Sequence, residues 1–287
     1  MQMVADRDSR QAIGPADRRV KLSVRGVSKS FDLNLGKSIQ AVSEVSFDIL
    51  ENELCVLLGP SGCGKSTMLR MVAGLEEPGD GVILLDGTEI MGPGRDRGMV
   101  FQSYTSFPWL TVQDNVEYGM RINGVPAKER RERAERFIDL VHLTAFRNAY
   151  PKQLSGGMKQ RVSIARTLAN NPAILLMDEP FGAVDAETRW HMQELLLNVI
   201  ESSKATVLLV THDIEEAIFL ADRIVFMTRR PGRVRENLLT EFKQGRRVTD
   251  KEEVIADAGY FPLERKIMRM MREEGRREDE AKELAEE

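Results

Sequence analysis

The densest chemistry in this chain lies in one run, Gly59-Pro60-Ser61-Gly62-Cys63-Gly64-Lys65-Ser66-Thr67. It follows the apolar stretch Leu54 to Leu58 and precedes a helical stretch from Met68 to Ala73, so a loop is held between a strand and a helix. A triphosphate needs many donors at close range. Gly59, Gly62 and Gly64 let the backbone bend until its N–H groups face phosphate oxygens, and the following helix N-terminus adds partial positive charge. Lys65 can then reach the β- and γ-phosphates, and the Ser66 hydroxyl can join a Mg²⁺ shell. Pro60, Ser61 and Thr67 complete the cradle. Cys63, two residues from Lys65 and near a helix start, is expected to carry a lowered pKa if exposed, so that alkylation there would block nucleotide.

Acidic groups at a distance complete such a site. Ile174-Leu-Leu-Met-Asp178-Glu179 places two carboxylates at the end of an apolar strand, where ligands of parallel sheets bind. Asp178 is suited to hold Mg²⁺ through its water shell, and Glu179 to accept a proton from, or orient, an attacking water. The competing reading for either carboxylate is a structural salt bridge. His212 ends another apolar strand, Thr206 to Thr211, and becomes a candidate for contact with the γ-phosphate. Gln102 ends the short apolar run Gly98 to Phe101 and could sense metal or water.

These groups must be positioned by a sheet and its helices. Short β-rich runs occur at Leu22–Val27, Ala41–Ile49, Leu54–Leu58 and Gly81–Leu85, and again at Ile174–Met177 and Thr206–Val210. Between the two sets, Pro126 to Leu143 shows helical spacing at Ala134, Phe137, Ile138 and Val141. The alternation predicts an α/β fold: a mainly parallel sheet covered by helices. Residues 1–20 read as a flexible leader. Residues 241–287 read as a charged helical extension with one short apolar cluster at Ile267, Met268, Met270 and Met271. The mixed-sign run Lys128 to Arg136 reads as a solvated helix face.

The chain has 287 residues, 41 basic and 45 acidic side chains, and a net charge of -4, so no global basicity marks a nucleic-acid binder. No apolar stretch approaches the roughly 20 residues a bilayer-spanning helix needs, and no signal peptide is evident, so a cytoplasmic location is expected. The two cysteines, Cys55 and Cys63, do not make a disulfide framework.

At Leu154-Ser155-Gly156-Gly157-Met158-Lys159-Gln160-Arg161 the sequence carries a motif that phosphate-loop proteins in general lack. With it, and with the phosphate loop, Gln102, Asp178-Glu179, Phe181-Gly-Ala-Val-Asp185 and His212 in order, the chain resembles the ABC ATPases over residues 21 to about 235. The resemblance implies a P-loop, RecA-like core in a domain spanning 21–240, with an antiparallel β subdomain and a helical subdomain at about 106–168. It implies ATP and Mg²⁺ as ligands. It implies a second ATPase subunit whose Ser155, Gly156 and Gly157 face this chain's phosphate loop, with Asp185 in the D-loop and Phe31 stacking on adenine. It also implies a transmembrane permease, an extracytoplasmic solute-binding protein, and a peripheral position on the cytoplasmic face of the inner membrane. Met158 and Val184 depart from the family's usual residues without removing a phosphate ligand. The stretch Ser106 to Val116 is most similar to ATPase subunits of nitrate, sulfonate and taurine importers. The alternative is a soluble ABC ATPase acting in translation or DNA repair, against which stand the single cassette and the short helical insert.

Overall fold

The computed structural model describes residues 18–33, 37–103, 105–182 and 184–286, with side chains omitted at 33, 37 and 277–286. Most of the expected leader, residues 1–17, lies outside the described residues.

In chain order the strands are β1 (Val20–Leu33), β2 (Lys37–Leu50), β3 (Leu54–Leu58), β4 (Asp80–Leu85), β5 (Thr88–Glu89), β6 (Arg97–Val100), β7 (Ile174–Asp178), β8 (Val207–Thr211), β9 (Arg223–Met227) and β10 (Val234–Leu239). The helices are α1 (Lys65–Val72), α2 (Val112–Ile122), α3 (Ala127–Leu140), α4 (Gly156–Ala169), α5 (Ala186–Ser203), α6 (Ile214–Leu220), α7 (Lys251–Ala256) and α8 (Tyr260–Glu286). One sheet has the order β10-β9-β3-β8-β7-β6 and is parallel except for β10. The other, β2-β1-β4-β5, is antiparallel.

A strand apolar at every position must be covered on both faces, and β3 is. Leu54, Val56 and Leu58 face one core layer with α4, α5 and α6, whereas Cys55 and Leu57 face another shared with α1 and the antiparallel sheet. Strands β7 and β8 alternate in the same way, with Leu175 and Leu209 in the first layer and Leu176 and Leu208 in the second. Each such side chain contributes about 1.5–3 kcal/mol of burial, so the sheet's central strands are its most firmly held part. Their C-terminal ends therefore form a rigid ledge.

Helices α2, α3 and α4 pack on one another beside this ledge. The sequence reading overlooks β9 and β10, whose short runs contain Arg, Glu and Asn among the apolar residues.

The C-terminal extension packs on the body of the fold through helices α7 and α8. Val254, Tyr260, Ile267 and Met270 belong to the main core layer. Buried Glu274 of α8 accepts from the Arg229 backbone N–H at 3.0 Å and from Arg235 Nη1 at 2.9 Å. Lys243 Nζ is buried and donates to the carbonyls of Phe219 and Ala221 at the end of α6. Ile267 and Met270 come from the apolar cluster read in the sequence, whereas the contacts of Lys243 and Glu274 with distant segments leave no periodic signal there.

Candidate functional site

The loop between β3 and α1 needs glycine for a geometric reason. Gly64, the residue before α1, has φ +96°, and a Cβ there would lie 2.5 Å from Val42 Cγ1 and 2.8 Å from the Ala41 carbonyl oxygen. Gly62 also has positive φ, +74°. With glycine at the N-cap, α1 begins without a side-chain cap. Its first N–H groups are thereby left for a ligand.

A cleft of about 360 Å³ opens over this loop, lined by Phe31, Ile39, Ala41, Ser61, Gly62, Gly64, Lys65, Ser66, Thr67, Glu179 and Arg230. Lys65 is buried, and its Nζ donates back to the carbonyls of Gly59 at 2.7 Å and Pro60 at 2.9 Å. Phe31 is 37% exposed, with Lys29 Nζ 5.3 Å from its ring centroid, so part of the ring remains open to a planar ligand.

Cys63 behaves otherwise than its neighbours in sequence imply. It is 1% exposed, and burial pushes its thiol up despite the nearby Lys65. A Cβ at Gly232 would lie 2.0 Å from the Cys63 carbonyl oxygen, so the β9–β10 turn closes tightly over this part of the loop. The expected low-pKa, alkylatable thiol is therefore replaced by a packed one.

The ends of β7 and β8 bring the remaining polar groups in. Ser66 Oγ donates to Asp178 Oδ1 at 2.9 Å, and burial holds the Asp178 carboxyl above its ordinary value in spite of that bond. These hard oxygens would suit Mg²⁺. Glu179 takes a left-handed backbone, φ +42°, immediately after the strand. Its Oε1 lies 3.1 Å from His212 Nδ1, and its Oε2 accepts a long 3.5 Å bond from Gln102 Nε2. Gln102, Glu179 and His212 are thus gathered around one carboxylate, and His212 reaches the site through Glu179.

The other expected ligands stand apart. Ser155 caps α4, its Oγ accepting from the Met158 N–H at 3.3 Å, with Gly156 and Gly157 in the first turn. Asp185 caps α5 by accepting from the Thr188 N–H at 3.0 Å, which lowers its carboxyl pKa. None of these four lines the cleft. A Cβ on Gly157 would lie 2.8 Å from Thr188 Cγ2, so the two helix starts touch. Ala183, in the segment before Asp185, lies outside the described residues.

Arg230 lines the cleft although no motif marks it. An Arg-Pro-Gly sequence announces a turn and no more.

A second surface lies beside α2. Phe107 packs against Tyr118 with ring centroids 4.4 Å apart and has Arg166 over its ring at 5.2 Å, while Trp109 stands 69% exposed. Asn115 ties this loop down by accepting from the Phe107 N–H and donating to three carbonyls. Phe101, Phe107, Tyr118 and Arg166 border a groove of about 460 Å³.

The sequence model of the family described as ABC transporter matches residues 42–182. The nitrate import ATP-binding protein of a Synechocystis species is 48% identical over 212 residues, 72% of this chain and 80% of that protein. The taurine import ATP-binding protein of a Jannaschia species is 43% identical over 250 residues, 87% of this chain and 93% of that protein. Among solved structures, a dimeric, post-hydrolysis ATP-binding cassette holding ADP and Pi aligns with a TM-score of 0.66 at 35% identity, covering 76% of this chain and 98% of that one.

Proposed function

This chain belongs to the ABC transporter family, and we propose that, as an ATP-hydrolysing subunit, it energises import of a small anion through a separate membrane-spanning permease. The observation that carries the reading is the Glu179 carboxylate, gathered with Gln102 and His212 beside the Ser66–Asp178 pair at the mouth of the phosphate-loop cleft. In this reading Lys65 turns from its loop carbonyls to the β- and γ-phosphates, and the loop amides at the start of α1 hold the remaining charge. Glu179 accepts the proton of the attacking water, and Gln102 and His212 fix where its two oxygens point. Phe31 receives the adenine. Bound Mg²⁺, held by Ser66 and through water by Asp178, would neutralise charge on the phosphates.

A second copy supplies the missing wall, with its Ser155, Gly156 and Gly157 turned to this chain's nucleotide and Asp185 at the contact. The permease is proposed to seat a cytoplasmic helix in the groove beside Trp109, keeping the ATPase pair on the cytoplasmic face of the membrane. No helix among the described residues is long and apolar enough to cross a membrane. Nitrate and taurine, named for the two importer relatives, share a compact anionic head, and we assign this class of solute, delivered by an extracytoplasmic binding protein.

Glu179→Gln tests the mechanism. It should lower turnover by roughly 10²- to 10⁴-fold while leaving ATP binding in place. With ATP and Mg²⁺ the variant should elute as a dimer in size-exclusion chromatography, and adding Ser155→Arg should return it to monomer. Full turnover in the single variant, or a dimer in the double one, refutes the arrangement. For the groove, a cysteine placed at Ser106 should crosslink to the permease in the assembled transporter.

A further inference from the structure

Arg230 sits at the tip of the β9–β10 hairpin, far in sequence from the phosphate loop, and the fold fixes it there. The Gly232 N–H donates to the Ala41 carbonyl at 2.9 Å, and the Gly232 carbonyl accepts from the Ser43 N–H at 2.9 Å, stapling the hairpin to β2. Gly232 also packs on the Cys63 carbonyl, so the same turn is seated on the loop itself. The neighbouring arginines Arg233 and Arg235 pair with Glu44 and with Glu273 and Glu274, respectively. Arg230 differs: among the described residues it has no carboxylate partner. Its Nε and Nη2 both donate to the Gly62 carbonyl at 3.3 Å. The side chain is exposed and lines the nucleotide cleft, and among the described residues its recorded hydrogen bonds use Nε and Nη2.

A guanidinium held at the rim of a phosphate cleft, without a carboxylate to neutralise it, has one obvious complement. We propose that Arg230 is a second phosphate-binding cation for the nucleotide, acting with Lys65 from the outer rim of the loop. Its planar fork suits phosphate oxygens, and its two bonds to a single carbonyl are long enough to be exchanged for a charged acceptor. The inference rests on the reading of this cleft as the ATP site.

The test is equilibrium binding of a fluorescent ATP analogue to the purified chain at several ionic strengths, comparing wild type, Arg230→Ala, Arg230→Lys and Lys65→Ala. Arg230→Ala should raise Kd about tenfold at low salt, the size of one lost hydrogen bond to a charged group. The gap to wild type should narrow as salt rises, because a rim contact is screened. Arg230→Lys, which keeps the charge, should recover part of the loss. An unchanged Kd in Arg230→Ala overturns the proposal. So does a loss of equal size at every salt concentration, since that marks a neutral brace on the Gly62 carbonyl. Lys65→Ala separates the two levels: if it too binds normally, the cleft is misread, and if it alone fails, only the role of Arg230 falls.

Discussion

Two helix starts in this molecule are built from glycine and serine, yet they are prepared differently. α1 begins at Gly64 with no side-chain cap, and its N-terminus opens into a cleft that already contains Lys65, Ser66 and a carboxylate. α4 begins at Ser155, whose own hydroxyl caps the helix, and nothing in the same chain encloses it among the described residues. An uncapped start within a lined cleft is a complete anion site. A self-capped start on an open surface is half of one, needing a ligand delivered from elsewhere. In the proposed function, the difference assigns the burden of binding to α1 and the burden of recognition between copies to α4.

That division can be broken in measurable ways. Lys65→Ala should cost the isolated chain roughly 100-fold in ATP affinity, by titration at low protein concentration, because a buried point charge is lost. Ser155→Arg should leave that titration unchanged while abolishing ATP-driven dimerisation. If both variants bind ATP equally poorly, the two helix starts do not divide the work. Gly64→Ala should destabilise the fold by about 2 kcal/mol in chemical denaturation, since the new Cβ meets Val42 and Ala41 in a left-handed backbone. The smallest effect belongs to Ser155→Ala. Loss of its long cap bond should cost about 0.5–1 kcal/mol, read as a slight drop in thermal midpoint.

The amino-acid sequence makes legible the chemistry carried by contiguous residues. The phosphate loop, the Asp178-Glu179 pair and the strand ends bearing Gln102 and His212 each advertise themselves by spacing within a few residues. The sheet class follows from the all-apolar runs of β3, β7 and β8, because only strands covered on both faces are written that way. Contacts between distant segments are silent. Cys63 looks reactive from Lys65 beside it, whereas its thiol is buried in a core layer that includes Val42 and Met227, from segments distant in sequence. Arg230 reaches the cleft from such a segment. The apolar cluster at Ile267 and Met270 is legible in the sequence, whereas the core places of Val254 and Tyr260 are not, because neither belongs to a periodic apolar run. His212, expected to face phosphate directly, has Glu179 as its neighbour, a relation fixed by two adjacent strands.

The contact between Gly157 and Thr188 has a consequence for timing. Because α4 and α5 begin against each other, with no room for even a methyl group between them, Ser155 and Asp185 sit on one stiff corner. Arg161 and Met192, in contact one to two turns further along the two helices, extend that corner inward. In the proposed pairing, a second copy engaging one would meet the other. Under the proposed arrangement the corner would act as a coincidence detector: a misaligned or empty partner would present a single weak touch, and only a nucleotide-loaded cleft arriving in register would make both contacts in the same encounter.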